Sequence, residues 1–267
     1  MTEPSDPTSY ICNDFKMDKA IQYVKGLNES QKEVHVTMTH FITLAAAWGL
    51  NKMRRDVGRL PWGTFRAAKQ LGVTILVDVD GGKDLVPVTL WDAHKMTVLD
   101  IAKKIGEKVQ RAKKGKDDRH NKSTALANFI PSFISQPLGY ALTYLSLNAG
   151  FNLDAFSIRN NSMGHLILTN VGTMGYTSAF APLCPLLHAL GYLCCGVIEK
   201  RAVVDKETDE IKVAHMMSMA ATGDHRYGDA AIFLPFFKAF RSMLEDPENF
   251  DETKIKANMH YSELKDK

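Results

Sequence analysis

The chain has 267 residues, of which 45% are hydrophobic and 24% are charged, and its formal net charge is +3. This is an ordinary globular composition with enough apolar residues for one large core. The basic excess is too small to indicate nucleic-acid binding, and we expect the basic run Arg111–Lys116 to be a solvated helix end. The length allows one large domain or two small ones; we expect a single domain over residues 1–267 and no nucleic-acid partner.

Hydrophobic spacing in the N-terminal half predicts strands and helices in mixed order. In chain order, the predicted elements are a strand over Ser9–Phe15, a helix over Asp18–Leu27, a helix over His40–Arg54 capped by Thr39, a strand over Val73–Val79, a turn at Asp80–Gly82, a strand over Leu85–Leu90 and a helix from Thr97 to Lys114. Pro87 cannot donate to a strand neighbour, so we expect its strand at a sheet edge or strand end.

The C-terminal half adds three strands and a helix. These are strands over His165–Val171, Leu193–Val197 and Val213–Ala221, a glycine turn at Gly172–Gly175, and a helix over Ile232–Leu244 that Asp246 and Pro247 end, leaving a tail over 246–267. The elements do not alternate strictly, which favours an α+β fold, a mixed sheet flanked by helices, over a doubly wound sheet.

Residues 123–153 form a segment without a single charged residue. A membrane-spanning helix needs about 20 predominantly apolar residues, and Pro131, Pro137 and several polar side chains interrupt this segment. We expect an apolar helical insert, a broken hairpin packed on the domain or at a subunit interface. A lid over an acyl chain and a membrane-facing surface are the alternatives.

The four cysteines show no zinc-binding spacing, and the nine histidines include no His-x-x-x-His pair, so we expect no metal site. Cys194 and Cys195 lie in an apolar run and are expected to be buried free thiols, as in a reducing compartment. The N-terminus has no signal-peptide pattern. The expected location is intracellular, in the cytoplasm or the mitochondrial matrix, and not secreted.

His225 is the histidine whose context indicates chemistry. It follows a predicted strand and precedes a predicted helix, and strand ends often carry reactive groups. Asp229 follows four residues later and can return to the same side of a turn. Taken alone, this pair fits a catalytic base with its partner and fits a solvated turn equally well.

Three separated stretches resemble one family. They are Gly72–Val88 with two strands around a turn, Leu168–Gly175 with Thr-Asn-Val-Gly-x-x-Gly, and Asp224–Asp229 with Asp-His-Arg-x-x-Asp. Together they resemble the catalytic domain of the dihydrolipoyl acyltransferases of 2-oxoacid dehydrogenase complexes, relatives of chloramphenicol acetyltransferase. The resemblance runs from about Ser9 to Leu244 and implies a chloramphenicol acetyltransferase-like fold.

The resemblance implies roles for individual residues. His225 would take a proton from the thiol of coenzyme A or dihydrolipoamide, and Thr169 would donate to the tetrahedral oxyanion. Asp229 would hold the loop through an ion pair. The remaining motif residues implied at the substrate are Asn170, Gly172 and Arg226. Coenzyme A would be a substrate, and no metal is implied.

The resemblance also implies an assembly, with the active site in a channel between subunits of a homotrimer that can build a larger cage. No lipoylation motif is present, so we expect a lipoyl-carrying partner in trans or a different acceptor. The uncharged insert and the run Ala179–Leu183 are similar to stand-alone acyltransferase-like proteins.

Two departures from the family pattern favour an alternative. The closing glycine of the histidine motif is Ala230, and Gly228 stands at a position that is usually apolar. If Ala230 needs a positive φ, it carries a steric penalty that glycine avoids. No arginine precedes Arg54 to pair with the aspartate. The alternative hypothesis is a catalytically inactive scaffold that forms a trimer or cage.

Overall fold

The computed structural model describes residues 6–78, 85–113, 132–151, 162–184, 187–205 and 207–249. Its strands are β1 (Thr8–Lys16), β2 (Gly58–Arg59), β3 (Arg66–Ala67), β4 (Gly72–Asp78), β5 (Leu85–Trp91), β6 (Leu166–Asn170), β7 (Gly191–Val204) and β8 (Ile211–Asp224). Its helices are α1 (Asp18–Ser30), α2 (Met38–Lys52), α3 (Val98–Lys113), α4 (Ser132–Ala149) and α5 (Ala230–Glu245).

Six strands form one mixed sheet in the order β1-β8-β7-β6-β4-β5, while β2 and β3 pair as a separate hairpin. Strands β4, β6 and β7 run parallel, and the other neighbours are antiparallel. The predicted α+β class is therefore confirmed. Pro87 lies on β5 at the edge of the sheet, as its missing N–H predicts.

Helix α2 is the centre of the core. Residues Phe41–Leu50 are all buried, so the helix is covered on every side and not on one broad face. It packs against α3, α5 and β4. A Cβ on Gly49 would lie 2.6 Å from Cδ2 of Phe236, so this glycine permits the close approach of α5.

Two predicted boundaries differ from the structure. Helix α2 begins at Met38 after Thr37, whose N–H donates to Nδ1 of His40 at 3.1 Å, so the predicted cap at Thr39 was wrong. A threonine caps a helix through its side chain, so Thr37 and Thr39 are equally good candidates for the cap when only the sequence is known. Strands β7 and β8 extend past the predicted ends because they pair with each other as a hairpin in which each strand has 14 residues.

The described part of the insert is one helix, α4, which continues through Pro137. Pro137 is the sixth residue of the helix, where it removes only one of the first i→i−4 bonds. The end of α4 packs on the turn Pro61–Gly63, where the Trp62 N–H donates to Oδ1 of Asn148 at 2.9 Å. Pro131 and the rest of the segment before Ser132 lie outside the described residues.

Within the described part of the chain, no helix combines the length and apolarity needed to cross a membrane. The predicted turn Asp80–Gly82 and the tail from residue 250 onward lie outside the described residues, and a turn over Pro247–Asn249 follows α5.

All four cysteines are free thiols, and Cys194 and Cys195 are buried as predicted. Burial raises the pKa of Cys195 to about 12 and raises that of Cys194. These thiols are therefore protonated and packed in the core at neutral pH.

Candidate active site

The histidine motif forms the turn between β8 and α5. The His225 N–H donates to the carbonyl of Pro7 at 2.7 Å, and its own carbonyl accepts from the Gly228 N–H at 3.2 Å. The His225 residue is exposed, and its ring has no hydrogen-bond partner among the described residues. The backbone of His225 is thus fixed while its imidazole is free to meet a substrate.

An ion pair between Asp224 and Arg226 brackets the histidine. Asp224 is fully buried, and its carboxylate accepts from Nε of Arg226 at 3.0 Å and from Nη2 at 2.7 Å. The Arg226 backbone N–H adds a further bond at 3.0 Å. The Asp224 side chain therefore anchors the turn. Asp224 is part of the sequence motif, but no role was predicted for it from the sequence.

Asp229 caps helix α5. Its side chain accepts from the Ala231 N–H at 3.0 Å, which satisfies one of the free donors at the helix start. The expected ion pair of this loop joins Arg226 to Asp224 instead. Asp229 thus holds the loop by capping and not by pairing with a cation.

The local backbone accommodates both departures in the histidine motif. Gly228 has a φ of +147°, and a Cβ on it would lie 2.0 Å from Cδ1 of Ile232, so this position requires glycine. Ala230 is the first residue of α5 and has no positive φ. The steric penalty considered for Ala230 is therefore absent, because the conformational freedom lies two residues earlier.

Tyr227 packs behind the turn. Its hydroxyl donates to the carbonyl of His188 at 2.8 Å, and burial and the Asp224 charge raise its pKa. Burial, together with the charges of Arg59 and Arg226, lowers the pKa of His188 to about 4. His188 is thus a neutral buried residue, while the exposed ring of His225 is the one available for proton transfer.

Thr169 lies near the end of β6. It is half-buried, and its hydroxyl makes no hydrogen bond within the described part of the chain. Asn170 next to it is engaged internally, because its side chain donates to Oγ1 of Thr39 at 2.9 Å and accepts from the Gly172 N–H at 3.0 Å. A Cβ on Gly172 would lie 2.5 Å from the Gly196 carbonyl oxygen, so this glycine permits close strand packing.

Of the expected substrate-binding residues, Asn170 and Gly172 share the Thr169 turn, and Arg226 lies on the histidine turn. The described contacts of all three are internal, so their role toward a substrate stays a prediction. Thr39, which fixes Asn170, was not predicted as part of the site, and its spacing of 131 residues from Asn170 gives no sequence signal.

Thr169 and His225 lie far apart in one copy of the chain. Thr169 pairs with Cys194 on β7, which pairs with Ala220 on β8, five residues before His225. At about 3.3 Å per residue and about 4.8 Å per strand, the two residues are separated by about 17 Å along the strands and about 10 Å across them. They therefore lie too far apart in one copy to contact the same substrate atom.

No cluster of three His, Cys, Asp or Glu side chains that could hold a metal occurs among the described residues.

The mixed sheet flanked by helices, with a histidine turn after β8 and a threonine turn after β6, defines the chain as an α+β protein. A family model described as 2-oxoacid dehydrogenases acyltransferase (catalytic domain) matches residues 1–127 and 155–250, and the chain belongs to this family. The resemblance in the three sequence stretches is thereby confirmed.

The chain is similar to the dihydrolipoyllysine-residue acetyltransferase component of the pyruvate dehydrogenase complex of Rickettsia felis, with 22% identity over 246 residues. The match covers 90% of this chain and 48% of that protein. The Rickettsia prowazekii protein is 22% identical and is covered to 49%. The chain thus spans about half the length of these relatives.

Solved structures show the same fold. A probable dihydrolipoamide acetyltransferase from Listeria monocytogenes superimposes with a TM-score of 0.65 at 15% identity, over 90% of this chain and 85% of that one. The Azotobacter vinelandii dihydrolipoamide acetyltransferase gives a TM-score of 0.67 at 13% identity, over 92% and 84%. That structure concerns the catalytic roles of a serine, a histidine and an asparagine four residues after the histidine.

Proposed function

We propose that the chain transfers an acyl group between coenzyme A and a thiol such as dihydrolipoamide, at a site built from two copies. The observation that carries this proposal is the separation of His225 from Thr169, about 17 Å along the strands and about 10 Å across them. Each side chain is uncommitted in its own turn, so the His225 turn of one copy meets the Thr169 turn of the next. A repeated head-to-tail contact of this kind closes as a ring, in line with a homotrimer.

The chemistry follows from the two side chains. A free thiol has a pKa of about 8.5, and the exposed imidazole of His225 can act as the general base that takes its proton. The thiolate attacks the thioester carbonyl, and the Thr169 hydroxyl of the neighbouring copy donates to the oxyanion that forms. Collapse of the intermediate breaks the original C–S bond, and the leaving thiolate recovers the proton from His225.

Two acidic residues position His225. The ion pair of Asp224 with Arg226 holds the backbone on both sides of the histidine, and Asp229 starts the following helix. Asp229 stands four residues after His225, as the asparagine stands after the histidine in the Azotobacter protein. Because Gly228 supplies the positive φ, the turn keeps its shape with Ala230, which supports an enzyme over an inactive scaffold.

The partners follow from the same proposal. A structural neighbour is the cubic core of a pyruvate dehydrogenase multienzyme complex, which superimposes with a TM-score of 0.67 at 14% identity, and we extend cage assembly to this chain as a proposal. A lipoyl group would reach the site on a separate domain or partner, within a reducing intracellular compartment.

The proposal is tested by measuring acetyl transfer from acetyl-coenzyme A to dihydrolipoamide. We expect His225→Ala to lower kcat by about 10²–10⁴, the usual contribution of a general base. His215→Ala is the matched control, because His215 pairs with Asp18 on the half-exposed surface of β8. Equal activity of both variants and the native protein would remove His225 as the base.

A further inference from the structure

A cavity of about 490 Å³ is lined by residues that belong to neither the His225 turn nor the Thr169 turn. It is bordered by the β2–β3 hairpin, by Trp91 at the end of β5, by His165 before β6, and by Leu147 and Asn148 of helix α4. Pockets that hold small molecules have volumes of about 300–1,000 Å³, so this cavity is large enough for one.

Three cations line the cavity. Arg59 is half-buried, and its Nη2 donates to the carbonyl of Leu147, while Arg66 and Lys69 are exposed at the mouth. Among the lining residues that the structure describes there is no Asp or Glu. Burial and the charge of Arg66 lower the pKa of Arg59, which shows that the like charges oppose one another. An anion would offset this repulsion.

Two rings that are nearly perpendicular to each other form an uncharged part of the lining. Trp91 and His165 meet edge to face with ring centroids 6.2 Å apart. His165 is buried, and burial and the charge of Arg59 lower its pKa to about 4, so its ring is neutral at pH 7. Its Nδ1 accepts from the Gly72 N–H at 3.2 Å, which fixes the ring orientation. A planar group can lie against the Trp91 ring.

Part of the cavity comes from a segment outside the family. The family model leaves residues 128–154 unmatched, and this stretch includes helix α4. Asn148 is buried and fixed, since its side chain accepts from the Trp62 N–H at 2.9 Å and donates to the Tyr144 carbonyl at 2.9 Å. The insert therefore adds a rigid wall to a cavity that acyl transfer between two thiols does not require.

We propose that this cavity binds a small molecule that carries a phosphate group next to a planar ring, as in a nucleoside monophosphate. A guanidinium group can donate two parallel hydrogen bonds to two oxygens of one phosphate. Arg59 and Arg66 would hold the phosphate in this way, with Lys69 as a third positive charge. The ring would lie against Trp91. This is a second binding site, separate from the His225 and Thr169 turns.

The test is calorimetric titration of the whole protein with adenosine 5′-monophosphate, adenosine 3′,5′-bisphosphate, adenosine and inorganic phosphate. We expect both nucleotides to bind, with affinity that falls as salt rises, and adenosine and inorganic phosphate to bind at least about tenfold more weakly. The bisphosphate is the nucleotide end of coenzyme A. If the bisphosphate binds more tightly than the monophosphate, the ligand of the cavity is the nucleotide part of coenzyme A. If the monophosphate binds more tightly, the ligand is a separate nucleotide.

The double variant Arg66→Gln with Lys69→Gln removes two exposed charges and is expected to weaken nucleotide binding at least about tenfold. Lys25→Gln with Lys238→Gln, on α1 and α5, makes the same charge change away from the cavity and should leave binding unchanged. The proposal is overturned if the native protein binds neither nucleotide or if both double variants bind equally. Binding of inorganic phosphate as tightly as the nucleotides would also overturn it.

Discussion

Asp224 and Arg226 form a buried ion pair around the single residue His225, with the side chains 0% and 16% exposed. The pair ties the end of β8 to the turn, so the position of the histidine backbone is set by buried electrostatics. Replacing only one partner leaves the other charge without compensation in a dry environment.

We therefore expect Asp224→Asn to lower the free energy of unfolding by about 3–5 kcal/mol. Urea denaturation at pH 7 measures this change. Asp246→Asn breaks the exposed pair with Lys19, whose side chains are 60% and 45% exposed, and should cost less than about 1 kcal/mol. Similar losses in both variants would show that the buried pair does not anchor the turn.

The glycine of the histidine turn gives a second prediction. Gly228→Ala places a Cβ at φ +147° against Ile232, so we expect a loss of about 1–3 kcal/mol in stability together with lower activity. Gly26→Ala, in the exposed middle of α1 with no atom within 4 Å of the added Cβ, should instead stabilise by about 0.5–1 kcal/mol.

Ala230, two residues after Gly228, gives a third prediction. Ala230→Gly restores the family's glycine at the start of a helix, where no positive φ is needed. It should not raise the acyl-transfer rate. A clear gain in rate would mean that Ala230 does limit the site.

The Thr169 hydroxyl gives a prediction about rate. Thr169→Val removes the donor while keeping a β-branched shape, and we expect kcat for acetyl transfer to fall by about 10²–10³. Thr169→Ser keeps the hydroxyl and should retain most of the activity. If the serine variant were as slow as the valine variant, the side chain would act through packing and not as a donor.

The buried His188 makes stability depend on pH. Its folded pKa of about 4 lies below the ordinary value of 6.5, so the unfolded chain binds the proton more readily. The stability contribution is complete above pH 6.5 and is lost as the pH falls toward 4. Buried His165 acts in the same direction.

His188→Asn should reduce the loss of unfolding free energy between pH 6.5 and 4, and asparagine tolerates the φ of +50° at this position. Urea denaturation at several pH values measures the slope. His35→Asn, at an exposed residue, should retain the native slope. An unchanged slope in the His188 variant would show that its protonation does not oppose folding.

Much of the fold could be predicted from local pattern. The apolar spacing of α1, α3 and α5 and the proline on an edge strand follow from interactions between near neighbours. The sequence alone could not predict that Gly228 needs to be glycine and that Ala230 does not, because this depends on where α5 begins and on the position of the Ile232 side chain.

The site itself depends on strand order. The motifs indicate His225 and Thr169, but the distance between them follows from the pairing of β6 with β7 and of β7 with β8. Such pairing is non-local, and no spacing in the chain encodes it. The cavity beside α4 likewise arises from contacts between residues about 90 positions apart, as between Arg59 and Leu147.

The central claim is that one copy supplies His225 and another supplies Thr169, and the most direct measurement is activity after mixing two inactive variants. His225→Ala and Thr169→Ala are dissociated, mixed in equal amounts and reassembled. With random reassembly into a ring, about one quarter of the sites unite an intact His225 with an intact Thr169, so we expect about a quarter of native acetyl transfer. Each variant reassembled alone is the control and should stay inactive. A mixture as inactive as its two components would contradict a site shared between copies.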